Sequence, residues 1–287
     1  MRKGARKHDV RPLPVYVISL LPRADRRAWI VEHLRRVGLS FTFFDATDAR
    51  NLDRDPLARL YDPACFAAQN PGCPGLSAAL VACALSHYRH WQHVAASGAP
   101  WTLVLEDDAV LTMENPAPSL EAAAATAGPQ DVVLLNSRCC GVWRQDRVAL
   151  WPGPHTLYRV NSETELAGAY LLSAGAAQCL AAAVTRDGVL RAADWWHRRH
   201  GGDWSRIVPI RMVKPDRVAQ HVELGSDIVT AHNDGYLDFV HDDTHRALTL
   251  FFGLVRDPRN PRYWPLLVSR GLQRVYGYHC VPPRCRD

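Results

Sequence analysis

Residues Trp101–Leu105 form a short apolar run that ends directly in Glu106, Asp107 and Asp108. A buried strand with three adjacent acids at its carboxyl end restricts the possible folds more than any other feature of the chain. It suits the interior of an α/β sheet, in which ligands collect at the carboxyl ends of the strands. Neighbouring carboxylates repel unless something cationic gathers them. A divalent metal carrying a phosphorylated ligand would do so, and hard oxygen ligands suit magnesium or manganese. A solvated acidic turn capping the next helix accounts for the triplet equally well, because helix N-termini favour acids by up to about 1 kcal/mol each.

With 287 residues, 47% of them hydrophobic and 22% charged, the chain can bury a full α/β core. No apolar run reaches the roughly 20 residues that a membrane span needs. The net charge of +5 is unevenly placed. Residues 1–11 carry Arg2, Lys3, Arg6, Lys7 and Arg11 against Asp9, or +4. From Arg256 onward seven arginines oppose Asp257 and Asp287, a further +5, which leaves the middle near −4. A nucleic-acid groove would put its charge in the body, so no nucleic-acid partner is expected. Basic ends around an acidic body suit peripheral contact with an anionic membrane, or serve only to keep the chain soluble. No apolar segment precedes Pro12, so the expected location is cytoplasmic and the eight cysteines are expected to be reduced. None of them forms a Cys-x-x-Cys pair.

Val15–Leu20 reads as a buried strand, and Ile30, Leu34 and Val37 as the stripe of a helix that stops at Gly38. Phe41–Phe44 supplies the next strand of a βαβ unit. Residues 50–74 read as a long irregular loop. Ser77 opens a second helix ending at Gly98, residues 117–127 a third, and Asp131–Leu135 another strand. Residues 141–160 suggest a hairpin broken by Pro152-Gly153-Pro154, and residues 169–184 a further βα pair. The predicted architecture is a basic tail (1–12), one nucleotide-binding α/β domain (13–235) and a basic, partly amphipathic extension (236–287). The central sheet is expected to be mostly parallel and the C-terminal third irregular.

Several segments resemble one family. Val17-Ile18-Ser19-Leu20 with Arg23, Asp25 and Arg26 is similar to the opening signature of glycosyltransferase family 25. Phe44-Asp45-Ala46 with Asp48, Cys83-Ala84-Leu85-Ser86-His87 and Leu105-Glu106-Asp107-Asp108 resemble its next three motifs. Gly168–Ser173 with Gly175-Ala176, Asp194, and Gln220 with Ser226-Asp227-Ile228 complete the pattern across residues 14–230. Leu80 and Ala82 depart from the Glu and Gly that the family often carries there. The family includes bacterial lipooligosaccharide galactosyl- and glucosyltransferases and animal collagen galactosyltransferases.

The resemblance implies a GT-A-like fold and a UDP-hexose donor whose two phosphoryl charges are bridged by Mn2+ or Mg2+. Strand alternation would turn Glu106 and Asp108 to one side and Asp107 to the other. Asp108 is then the expected main metal ligand, with Glu106 as a second. Glu106 or Asp107 is alternatively a contact to ribose or to an outer water. Ser19 and Leu20 are expected to bind the donor, Arg23 and Arg26 to meet its diphosphate, and Asp45 to lie at uracil or ribose. Ser86 and His87 would line the donor pocket. His87, His90 and His93 fan across roughly 120° of a helix and do not converge on one metal. Asp194, beside Trp195 and Trp196, is the expected base for an inverting transfer, with His197 in reserve. Tyr170, Trp195, Gln220 and Asp227 are expected in the acceptor or donor pocket. The acceptor would be a glycan, lipid-linked in bacterial lipopolysaccharide biosynthesis. Protein glycosylation and a non-catalytic sugar-nucleotide binder are the alternatives. Finally, Trp264, Leu267, Val268, Leu272, Val275 and Tyr276 share one helical face opposite Arg262, Arg270 and Arg274. That pattern suits a membrane interface or packing on the domain equally.

Overall fold

A computed structural model describes residues 12–69, 75–136, 140–150, 155–160, 168–193, 207–214, 216–221, 224 and 278–281. Strand β1 (Val15–Ser19) leads into helix α1 (Ala24–Arg36), which buries Ile30, His33 and Leu34 on one face. Gly38, at φ 76°, ends α1. Its N–H bonds the Arg35 carbonyl and the Leu39 N–H bonds that of Leu34, the paired closure that left-handed glycine permits. Strand β2 (Thr42–Asp45) follows.

The stretch expected to be an irregular loop is more ordered than its composition suggests. Two 3-10 turns, Ala49–Arg54 and Pro56–Leu60, and helix α2 (Pro63–Gln69) occupy it. Asp48, Asp55 and Asp62 accept bonds from the N–H groups of Arg50, Leu57 and Ala64, so each acid starts a short helical turn. Helix α3 (Ala78–Ser97) starts where Ser77 accepts from the Leu80 N–H and stops at Gly98, as expected.

Strand β3 (Trp101–Glu106), the short β4 (Ala109–Leu111) and helix α4 (Ala117–Thr126) come next. They are followed by β5 (Val132–Leu134), β6 (Cys140–Leu150), β7 (His155–Val160) and β8 (Ala169–Ser173). Helix α5 (Ala174–Asp187), capped by Ser173, and strands β9 (Ile210–Lys214), β10 (Val218–Gln220) and β11 (Tyr278–Val281) complete the described elements.

Nine strands form one sheet in the order β11-β6-β7-β9-β5-β8-β3-β1-β2. Six of the nine run one way, and β7, β8 and β11 run against them. The sheet is therefore mostly parallel in strand direction, although β8 is inserted antiparallel between β3 and β5. The expected hairpin is β6–β7, with a register shift between Trp143 and Val148. Strand β11, from the C-terminal extension, pairs with β6.

Alternation along the inner strands feeds two cores. Ile18, Val104, Val132, Leu134, Tyr170 and Leu172 meet α3 and α5 on one face. Val17, Leu103, Leu105, Val133 and Leu171 meet Ile30 and Leu34 of α1 and Leu120 of α4 on the other. Both faces of the sheet are covered, which is why these strands read as unbroken apolar runs. Among the described residues no helix is long and apolar enough to cross a membrane.

Candidate functional site

Neighbouring parallel strands end at the same level. Ile18 lies opposite Glu106 in the β1–β3 ladder, and Ser19 lies opposite Asp45 in β1–β2. The acid triplet therefore opens beside Ser19 and the start of α1. Strand β3 ends at Glu106, so Asp107 and Asp108 sit in a turn and the expected alternation stops one residue early.

Asp107 and Asp108 consequently share a partner instead of facing apart. Arg26, in the first turn of α1, places Nε 2.9 Å from Asp107 Oδ1 and Nη2 2.6 Å from Asp108 Oδ2. Ser19 Oγ donates to Asp107 Oδ2 at 2.7 Å. A cation in the first turn of a helix opposes the backbone dipole, and the two acids offset that cost. Asp107 is 4% exposed and Arg26 8%. Burial, reinforced by the charges of Glu106 and Asp107, pushes the Asp108 carboxyl up to about 7. Asp107 is raised as well, by burial acting against Arg26 and Ser19. Asp108 Oδ1 is buried with no hydrogen-bond partner among the described residues.

Glu106 turns the other way. Its Oε1 lies 3.2 Å from His87 Nε2, His87 Nδ1 lies 2.8 Å from the Tyr170 hydroxyl, and Trp91 Nε1 donates to that hydroxyl at 3.1 Å. An indole N–H can only donate and a carboxylate can only accept. With a neutral imidazole, the order that satisfies every atom runs from Trp91 through Tyr170 and His87 to Glu106. Burial pushes the Glu106 carboxyl up, but the hydrogen bond from His87, with Arg26 nearby, outweighs it and leaves the group below its ordinary value. Burial raises the Tyr170 hydroxyl strongly, so it keeps its proton. Cys83, one helical turn before His87, brings its sulfur into the same corner. Cys83, His87 and Glu106 each offer a ligand atom within 4.8 Å of the others. A metal bound there would need the Nε2 proton of His87 to leave.

The other expected residues fall at varied distances from this centre. Arg23 forks onto Asp25 and donates to the Leu224 carbonyl at 2.9 Å. The Leu20 carbonyl accepts from the Arg23 N–H at 3.1 Å. Asp45 is exposed and paired with Arg27. Ser86 is buried within α3, donating to the Ala82 carbonyl at 2.7 Å and accepting from the Thr47 N–H at 2.8 Å. His90 and His93 pack around Tyr16 and Phe44 instead of joining His87 at the carboxylate. Gln220 reaches the acid corner because β10 pairs with β4, opposite Ala109. Asp194, Trp195, His197 and Asp227 lie outside the described residues.

Two residues near the centre escape the sequence reading. Arg27 donates to the Ser19 carbonyl at 3.1 Å and stacks over Phe43 at 4.5 Å. Its place four residues after Arg23 on one helix was the available signal. Asn136 follows the apolar run of β5 as Glu106 ends that of β3, and the same strand-end rule would have found it.

Residues 13–136 match the family described as Glycosyltransferase family 25 (LPS biosynthesis protein). Ser19, Arg26, His87 and the acid triplet lie inside that segment, and Tyr170, Asp194 and Gln220 lie beyond it. The chain is 37% identical over 95 residues to the probable inactive glycosyltransferase 25 family member 3 of Rattus norvegicus, covering 33% of this chain and 17% of that one. It is 36% identical over 99 residues to the lacto-N-neotetraose biosynthesis glycosyltransferase LgtB of Neisseria meningitidis serogroup B, covering 33% of each. It is 34% identical over 128 residues to the putative glycosyltransferase R655 of Acanthamoeba polyphaga mimivirus, covering 43% of this chain and 36% of the relative. The alignments thus span between about a sixth and about a third of these relatives' lengths.

Proposed function

We propose that the chain, whose residues 13–136 match glycosyltransferase family 25, transfers galactose or glucose from a UDP-sugar to a glycan acceptor, with inversion and with a divalent metal. The acceptor in this reading is lipid-linked, in lipopolysaccharide or lipooligosaccharide biosynthesis, and the protein works in the cytoplasm at the inner face of the membrane. One observation carries it: Ser19, Arg26, Asp107 and Asp108 converge at the shared end of two parallel strands, where α/β folds bind nucleotides.

The donor set fits a hard cation. Two carboxylates face one guanidinium fork, and Asp108 keeps an orphaned buried oxygen among the described residues. Asp108 would hold manganese or magnesium. When bound, the cation would offset the diphosphate charge that grows as UDP leaves. Arg26 keeps Asp107 and Asp108 together against their mutual repulsion, which leaves Arg23 as the more accessible cation for a phosphate. His87 holds Glu106 ionised and fixed. Asp194 is the proposed base that takes the acceptor hydroxyl's proton.

A non-catalytic sugar-nucleotide binder is the second reading, favoured by the relatives named inactive in rat, mouse and human. Incubation of the full chain with UDP-galactose or UDP-glucose, manganese and a lipooligosaccharide acceptor separates the two. Release of UDP with acceptor extension supports the transferase. Saturable UDP-sugar binding without UDP release supports the binder.

A further inference from the structure

Three polar groups converge on the space that glycine leaves at position 168. A Cβ built on Gly168 would lie 3.3 Å from Asn136 Nδ2, 3.6 Å from Gln220 Nε2 and 3.7 Å from Glu106 Oε2. The backbone is pinned there, because the Gly168 carbonyl accepts from the Glu106 N–H at 2.8 Å. Gly168 is absent from the left-handed φ region, so its conformation does not call for glycine. The missing side chain instead leaves room among three polar groups.

Asn136 is the informative member. It is 3% exposed, and neither its Nδ2 nor its Oδ1 has a hydrogen-bond partner among the described residues. Buried amides are normally bonded, and an unpaired one lowers stability. Glu106 adds an acceptor, since Oε1 is tied to His87 while Oε2 faces the gap. Gln220 brings a second amide from β10.

The chemistry of this set selects its ligand. A phosphate would meet the Glu106 charge, a bare cation would meet amide N–H groups, and an apolar group would leave all three residues unpaired. Hydroxyl groups both donate and accept, so neighbouring hydroxyls can satisfy two amides and a carboxylate together. We propose that the space beside Gly168 is a subsite for the hydroxyl groups of the donor hexose, read by Asn136, Gln220 and Glu106. The assignment rests on the transferase reading above and adds Asn136 and Gly168 to its site.

Saturation-transfer NMR on the full chain with UDP-galactose, UDP-glucose and UDP tests it. In the wild type, both uridine and hexose protons should receive saturation. Gly168→Ala fills the gap and Asn136→Ala removes the amide. Each should cut hexose transfer and weaken UDP-hexose binding about tenfold, the worth of one or two hydrogen bonds, while UDP affinity stays unchanged. The melting temperature of Asn136→Ala should equal or exceed that of the wild type, because the unpaired amide is gone. Hexose contact that is absent from the wild type, or unchanged in both variants, overturns the subsite and leaves a pocket for water. A fall in the melting temperature of Asn136→Ala overturns it too, by making the amide structural. No contact to any proton of either UDP-sugar overturns the transferase reading itself.

Discussion

Glu106, Asp107 and Asp108 are consecutive, yet their surroundings differ, although Arg26 joins the last two. Glu106 is held ionised by His87, Asp107 is locked between Ser19 and Arg26, and Asp108 retains an unpartnered oxygen. If Asp108 holds the cation, Asp108→Asn should abolish transfer with little change in melting temperature, and EDTA should silence the wild type until manganese is restored. Full transfer in chelator would remove the metal from the mechanism. Asp194→Asn should bind UDP normally and turn over at least about a hundredfold more slowly, as loss of a general base requires. An unchanged kcat would pass the role to His197. His90 makes a separate case, packed against Tyr16, Phe44 and His93 with neither ring nitrogen bonded among the described residues. Burial, with the charges of His87 and His93, lowers it from 6.5 to about 3. A folded-state pKa below the unfolded value means that the unfolded chain takes the proton first. The stability tied to His90 is therefore complete above about pH 6.5 and is lost as the pH falls toward 3. That window is worth on the order of 5 kcal/mol at about 1.4 kcal/mol per pKa unit. Urea titrations of His90→Leu should show a shallower acid decline than the wild type, while equal slopes would assign the decline to other groups, such as buried His33.

At the level of elements, the buried tyrosine of β8 joins two side chains of α3 to the site. Tyr170→Phe would strand the Trp91 N–H and His87 Nδ1, both now bonded to its hydroxyl. Chemical denaturation should show a loss of about 1–3 kcal/mol, the cost of leaving such groups unpaired. A neutral substitution would mean that water replaces the hydroxyl. The helices and inner strands were legible because burial on both sheet faces leaves long apolar runs, and because Ser77, Gly38 and Gly98 mark boundaries. The direction of β8 was not legible, since a run buried on both faces is apolar whichever way it points. Strands β4 and β10 have three residues each, too few to show a period. The turns after Asp48, Asp55 and Asp62 were hidden because side-chain caps need no apolar pattern. In the site, the acid triplet and Arg26 were visible as motifs. The convergence of Asn136, Gln220 and Gly168 depends on pairing between strands distant in sequence, which no local pattern records.

Across the whole molecule, charge and topology pull the chain's ends into different roles. The basic segments 1–11 and 256–277 lie outside the described residues, so the membrane reading rests on their composition. Each arginine near an anionic surface is worth about 1 kcal/mol. Replacing Arg262, Arg270 and Arg274 with Gln in the full chain should sharply reduce its co-sedimentation with phosphatidylserine-rich vesicles at low salt. Equal sedimentation of the two proteins, or none by the wild type, would make the segment structural. Substitution is preferable to truncation here, because ending the chain early would delete β11.

That strand also bears on how the protein is made. On its outer side, β6 from Cys140 to Trp143 pairs with residues 278–281, across a separation of more than 130 residues. During synthesis the interior of the sheet can assemble while one flank still presents unpaired backbone, a template for any passing extended chain. That flank stays open until residues 278–281 have been made. The nascent polypeptide would be exposed to misassembly until that strand arrives, and a folding helper or slow synthesis ahead of it would help most in that interval.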